Sequence, residues 1–154
     1  MLVTTGRQDK NVAEALQRLL SDQHVVYTHL HNLHWNIEGP SFFEYHEHLQ
    51  DGYEMIAEHI DDTAERLLMI GHRPLANLQD YIDNSTLKSL PSEGYHVQDA
   101  IAHVLTGLAT LIDDVQAVIT ESQNASDEGS LDFGVELLRV YEKQRWFWTA
   151  AQPR

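Results

Sequence analysis

Apolar residues return along most of this chain at alternating steps of three and four, the period of one helix face, and no strand-like alternation stands out. Leu16, Leu19, Val26, Leu30 and Leu33 mark one stripe, interrupted by Gln23, and predict a first helix from about Asp9 to Glu38. Gly39-Pro40 stops it, since glycine tolerates a left-handed cap and proline cannot continue the ladder. Ser41 is placed to cap the next helix, with Glu44 three residues on as the other half of a capping box. The second stripe is His46, Leu49, Tyr53, Ile56, Ile60, Thr63, Leu67 and Ile70; it sets His46 on the core side and ends at Gly71. Between Pro74 and Leu90 the chain is too long for a simple turn, and LANLQDYID has helical spacing, so a short cross-helix is expected before Asn84-Ser85 and Pro91. Ile101, Val104, Leu108, Leu111, Val115 and Val118 predict a third long helix over about Val97–Glu121. SQNASDEGS reads as a turn cluster, and a fourth helix is expected over Leu131–Ala150 with Leu137, Leu138, Tyr141 and Trp148 facing in. The pattern predicts an all-α fold, an up-down four-helix bundle with a short cross-helix between helices 2 and 3, forming a single domain over 1–154 after a tail of about residues 1–8.

Composition narrows the function classes. Ten Lys and Arg stand against 24 Asp and Glu, a formal charge of −14 that argues against a nucleic-acid clamp, because phosphate binding rests on basic side chains. An acidic surface repels DNA and gathers cations. With no cysteine there is neither a disulfide framework nor a thiolate metal site, which fits a reducing compartment. MLVTTGRQDKN lacks the apolar core of a signal peptide, and no stretch is read as a membrane span. A soluble, acidic, cytoplasmic protein is expected.

The candidate chemistry is concentrated between His31 and Leu67. His34-Trp35 ends one helical pattern, and the next carries His46 and then Asp61 and Glu65, whose i, i+4 spacing puts two carboxylates on one face about 6 Å apart. Imidazole and carboxylate donors from long bundle helices suit Fe(II), Mn(II) or Zn(II). Taken alone, the acidic pair reads as a solvated stripe and a single apolar-face histidine as a core residue. His34 follows Leu20, Tyr27 and His31 on one stripe with His24 beside it, which shifts the reading towards a metal surface with His24 and His31 as flanking residues. His29, His59, His72, His96 and His103 carry no functional claim. His46-Glu47-His48-Leu49-Gln50 lacks the second histidine of a zinc-protease helix, and Glu93-Gly94-Tyr95-His96 has Glu-x-x-His spacing in a loop.

The local wording L-H-W-N-x-x-G, F-F-x-x-H-E and D-x-x-A-E-R-L resembles the Dps family (DNA protection during starvation), ferritin-like proteins that oxidise and store iron. The resemblance covers nearly the whole chain. It implies a hollow homo-dodecamer with iron bound between two subunits: His34 and His46 from one, Asp61 and Glu65 from its two-fold partner, Glu65 bridging two irons. Where the family usually has an aspartate four residues after the second histidine, this chain has Gln50, which leaves the first iron position intact and weakens the second, open to water or zinc; Asp51, about 100° round the helix, and His48 point away. Glu128 and Asp132, with Asp127 adjacent, match acids of the family's three-fold iron-entry pores, and Gln123 stands where another pore acid is found. Each also reads as part of a solvated turn with a helix cap. Glu47, Asp51 and Glu54 are candidates for a mineral-nucleating inner face. Trp35 and Trp146 match aromatics near the iron site, and core packing explains them equally well.

The implied activity is a ferroxidase that uses hydrogen peroxide in preference, oxidising Fe(II) at His34, His46, Asp61 and Glu65 and collecting Fe(III) as mineral in protection against oxidative damage. Two alternatives stay open: a DNA-compacting protein, disfavoured because the termini offer few basic residues, and a metal buffer without turnover, suggested by Gln50.

Overall fold

A computed structural model describes residues 7–153, in the order α1 (Arg7–Asn36), β1 (Ile37–Glu38), α2 (Phe42–Met69), α3 (Leu78–Asn84), β2 (Tyr95–His96), α4 (Val97–Ala125) and α5 (Glu128–Ala150). Residues 1–6 of the expected tail lie outside the described residues. The predicted stripes are the core: Leu16, Leu19, Leu33, Leu49, Leu67, Ile101, Leu111, Val115 and Val118 are fully buried. Each fully buried aliphatic side chain contributes about 1.5–3 kcal/mol, which sets the inward face of every long helix.

Three boundaries differ from expectation. Ser41 precedes α2 in a left-handed conformation (φ 65°) and makes no side-chain cap bond, so no capping box forms with Glu44. The predicted turn cluster shrinks to two residues: α4 continues to Ala125, Ser126 takes a left-handed cap, and Asp127 caps α5 by accepting from the Ser130 amide at 3.0 Å. Ile37 and Glu38 leave the first helix and pair in parallel with Tyr95 and His96. That pairing sets the end of α1 beside the start of α4, so α4 runs antiparallel to α1 and parallel to α2. The helix directions are therefore up, down, down, up rather than simply alternating, and residues 70–96 must travel the length of the bundle to make the connection. α4 also holds an 18-residue window of mean hydropathy 1.3, long and apolar enough to cross a membrane, where no such stretch was expected. Its apolar face, from Ile101 to Val118, is buried in the bundle, the ordinary position of a core helix.

One polar edge of α1 holds the crossing segment. Gln17 donates to the Arg73 carbonyl and accepts from the Leu75 amide, Ser21 accepts from Asn84, and His24 stacks on Tyr81 with ring centroids 3.7 Å apart. Asp22 is fully buried and accepts from the Ser85 hydroxyl, the Thr86 amide (2.9 Å) and the Thr86 hydroxyl (3.0 Å). Against it lies Asp114 of α4, also buried, with one carboxyl oxygen facing no donor. Burial, together with the hydrogen bond and charge of Asp22, pushes the Asp114 carboxyl up to about 9, so it carries a proton in the folded protein at neutral pH and shares it with Asp22.

A carboxyl whose folded value lies above its unfolded value of 3.8 favours folding most at low pH, and stability falls as pH rises between the two values, by at most about 1.4 kcal/mol per unit. Asp114→Asn keeps a donor for Asp22 and removes this titration. We expect the variant to melt above the parent protein at pH 8 and to lose that advantage near pH 4; parallel melting curves for the two proteins across that range would show that Asp114 is already ionised in the core.

Candidate metal centre

The short connection Gly39–Ser41, with positive φ at Gly39 (111°) and at Ser41, turns α2 back along α1 and brings His34 and His46 together. Their rings stack at 3.7 Å between centroids, 14° from parallel. Nδ1 of His34 lies 2.6 Å from the His46 carbonyl oxygen, and Nδ1 of His46 lies 2.7 Å from the His34 carbonyl oxygen. A carbonyl can only accept, so both Nδ1 atoms carry the hydrogen and both Nε2 atoms keep a free lone pair. Orienting a ring through one nitrogen and presenting the other is how proteins prepare a histidine ligand. Phe42 stacks on the outer face of His46 at 5.1 Å, and Tyr53 meets His34 edge-on at 5.3 Å. His34 is buried and His46 half-buried, which restricts both rings to this orientation.

His31, one turn before His34, is held among Tyr27, Trp35 and Tyr53, its ring 3.9 Å from that of Tyr53 and stacked on Trp35. Burial and the neighbouring His34 lower its pKa. Trp35 is therefore beside the histidine cluster yet two-thirds exposed, and Trp146, equally exposed, contacts Phe147 in α5 instead. Gln50 turns away along α2, donating to the Glu54 carboxylate at 2.9 Å.

Asp61 and Glu65 are exposed on the same helix as His46, but 15 and 19 residues further on, roughly 22 and 28 Å at 1.5 Å per residue. Within one chain the structure unites the two histidines and separates them from the two carboxylates, and among the described residues no three His, Asp or Glu side chains gather into a metal-holding group. Glu65 instead borders a cleft of about 380 Å³ between α2 and α5, with Asp62, Asp132 and Glu136. In that cleft lies His59, to which the sequence assigned no role: its Nδ1 is 2.9 Å from the hydroxyl of Tyr141, which accepts from the Gln23 amide at 3.1 Å. This hydrogen-bonded chain links residues 118 and 82 positions apart, and no local spacing announces it.

The acids around the last turn divide in use. Asp127 caps α5 and accepts from Arg66 at 3.2 Å, while Arg66 also donates to the Ser130 hydroxyl; Glu128 and Asp132 remain exposed. Glu47, Asp51 and Glu54 are exposed on α2.

Comparison with known proteins agrees with this fold. A family model for the ferritin-like domain matches residues 13–151. The chain is 30% identical over 138 residues to DNA protection during starvation protein 2 of Bacillus anthracis, covering 90% of this chain and 94% of that one. The crystal structure of a Dps protein from Bacillus brevis superposes with a TM-score of 0.91 at 29% identity, over 96% of this chain and 98% of the other. A Dps protein from Vibrio cholerae O1, described as a member of a broad superfamily of ferritin-like diiron-carboxylate proteins, superposes with a TM-score of 0.90 at 25% identity, over 97% and 98%. The bundle is that of a ferritin-like protein. Within that class, the chain belongs to the Dps family.

Asp127 gives a test of how the α5 end is held. Burial pushes its carboxyl up, but the Ser130 bonds and the Arg66 guanidinium outweigh burial and hold it below the ordinary value. Such a group stabilises the fold above its unfolded pKa, and the contribution disappears as pH falls through the folded one. Asp127→Asn retains a cap and removes the charge; urea unfolding should show the variant less stable than the parent protein at pH 7, with the deficit shrinking progressively as the pH falls below the ordinary carboxylate value of 3.8. A deficit of the same size at pH 3 would assign the cost to packing instead of charge.

Proposed function

We propose that this protein is a ferroxidase and iron store whose oxidation site is completed only between two copies of the chain. The observation that carries the reading is the separation just described: two histidines with free Nε2 lone pairs at one end of α2, and two exposed carboxylates some 22–28 Å away on the same rigid helix. A two-fold partner with its α2 running the other way sets the Asp61–Glu65 pair opposite His34–His46 and makes two equivalent sites, since a two-fold interface repeats every contact. Mixed imidazole and carboxylate donors suit Fe(II), and zinc fits the same set. Family membership and the diiron-carboxylate description of the Vibrio cholerae relative support iron as the substrate.

His34, His46 and Asp61 bind the first Fe(II), and Glu65 is the carboxylate that reaches a second. Gln50 brings only a dipole to that second position and is turned towards Glu54, so the two positions differ in affinity. Peroxide is the preferred oxidant in this reading, because two irons supply both electrons that it needs and no hydroxyl radical is released. Fe(III) then hydrolyses and collects as mineral within a dodecameric cage whose acidic lining includes Glu47, Asp51 and Glu54. Glu128 and Asp132 admit the cation at the three-fold pores, while Asp127 is occupied by Arg66. A cytoplasmic location and a protective role against oxidative damage go with this activity. The net charge of −14 opposes direct DNA binding at physiological salt, where screening acts over about 8 Å.

Complementation tests the shared site. His34→Ala and Asp61→Ala cages should each lose peroxide-driven Fe(II) oxidation by more than tenfold. Cages assembled from an equal mixture should recover about a quarter of the parent rate, because half of the two-fold pairs are mixed and each has one intact site of two. No recovery from properly assembled mixed cages would place the site within one chain, and full activity in either single variant would remove these residues from the reaction.

Gln50→Asp tests the second position. Anaerobic Fe(II) titration of the parent protein should resolve a tight and a weak position, and the variant should tighten the weak one and speed oxidation at low iron. Helix propensity differs by only a few tenths of a kcal/mol between the two residues. Two equal positions in the parent protein would show that another side chain already supplies the ligand.

A further inference from the structure

Beneath the last stretch of the connection from α3 to α4, α1 carries a histidine that neither the iron reading nor the hydrogen-bonded framework uses. His29 is 8% exposed. Residues 88–91 close over it. A backbone hydrogen bond at Lys88 takes one ring nitrogen, and Asn32, on the same helix, donates to the Leu90 and Pro91 carbonyls at 3.3 and 3.0 Å. Nε2 of His29 is buried and meets no polar partner among the described residues, so the Lys88 bond falls to Nδ1. A buried polar atom left unanswered is rare in a folded core and asks for a partner.

α4 supplies a second ring at the same level. The two helices run antiparallel, and two contacts fix their register. Val26 packs against Gly107, where an added Cβ would lie 3.2 Å from a Val26 methyl, and Ile37 pairs with Tyr95. One turn from the first contact, towards the second, stand His29 on α1 and His103 on α4. His103 is half-buried, and its ring meets that of Tyr95 edge-on at 5.5 Å. Tyr95 is itself buried and donates to the Pro91 carbonyl at 2.6 Å, which holds that ring in place. Burial lowers the pKa of His29, and His103 lowers it further against the Lys88 bond, which raises it. At neutral pH the ring is uncharged and Nε2 keeps its lone pair.

We propose that His29 and His103 bind one Cu(I) ion between α1 and α4, with Nε2 of His29 as the inner ligand and the ring of His103 as the outer one. Imidazole is a good donor for copper. Cu(I) is satisfied by two nitrogen donors in line, whereas a zinc site takes four ligands in a tetrahedron. Among the described residues no third His, Asp or Glu joins these two into a larger group. Two neutral rings bring no negative charge, which favours a monovalent ion over Fe(II) or Mn(II). Tying Nδ1 of His29 to a carbonyl and presenting Nε2 is the preparation expected of a metal ligand. The half-exposed His103 gives the ion its way in. The site uses none of the iron-binding residues and stands independently of the ferroxidase reading.

Anaerobic titration of the assembled, metal-free protein with Cu(I) in ascorbate, in competition with a chromogenic Cu(I) chelator, tests the proposal by counting ions and their affinity. The His34→Ala protein, in which the other histidine pair is broken, should still bind one Cu(I) per chain. Adding His103→Gln to it should weaken that ion by more than tenfold. His103→Gln alone should bind one Cu(I) fewer per chain than the parent protein, and being half-buried it leaves the core filled. X-ray absorption of the copper-loaded His34→Ala protein should show two nitrogen neighbours. Copper held as tightly after His103→Gln in either background would overturn the assignment. So would a His34→Ala protein that takes up no Cu(I), or one whose site prefers Zn(II).

Discussion

A straight α-helix is a ruler, and α2 is the ruler on which this protein is laid out. At about 1.5 Å per residue it holds His46 and Asp61 roughly 22 Å apart whatever the rest of the chain does. No loop movement or side-chain rotation closes such a gap. Donors at both ends of one rigid element are useful together only when a second copy supplies the opposite end. Oligomerisation in this reading is a condition for chemistry, and the fold of the single chain leaves the carboxylate half exposed and the histidine half largely sheltered.

The bundle earns that rigidity with an unusually polar interior. Tyr141, Gln23 and Asp22 are all fully buried. Leaving such groups unpaired costs about 1–3 kcal/mol apiece, so each must find a partner in a particular helix or loop. Gln23 and Tyr141 tie α1 to α5 and, through His59, to α2. Asp22 and Asp114 tie α1 to α4 and hold the Ser85–Thr86 segment that follows the cross-helix. Apolar stripes alone would permit helices to slide or exchange neighbours; these bonds specify one register. The connection over residues 70–96 needs such fastening most, because it spans the bundle with little apolar surface of its own to bury, α3 having no buried residue.

The histidine pair shows the same economy at the other end. The two Nδ1–H groups satisfy two carbonyl oxygens at the point where α1 ends and α2 begins, so the bonds that close the turn are the bonds that orient the ligands. In the proposed site structure and chemistry are therefore coupled at these residues: losing either ring removes a donor from a carbonyl as well as a nitrogen from the proposed metal site. Gln50 and Glu54 are not coupled in this way, lying exposed on α2 and bonded to each other. Substitution at Gln50, in the proposed second metal position, can thus leave the fold undisturbed.

The periodicity of Leu, Ile and Val by itself determined the four long helices, the core face of each and the existence of a cross-helix, because burial is read locally at steps of three and four. It also set His46 on the core side of its helix, and the wording around His34 and His46 carried the family resemblance. The direction of α4 came only from the tertiary structure: nothing in residues 70–96 states that they return to the far end, and the Ile37–Tyr95 pairing joins segments 58 residues apart. The buried partners of Gln23 and Asp22 were likewise invisible, since an interrupted stripe shows that a polar residue is inside but not which helix answers it. Asp127 read either as a neighbour of pore acids or as a helix cap, and that Arg66, 61 positions away, lies against it came only from the structure. Local pattern fixes what is buried because water is everywhere the same partner; which polar groups meet is decided by packing geometry, which exists only once the helices have assembled.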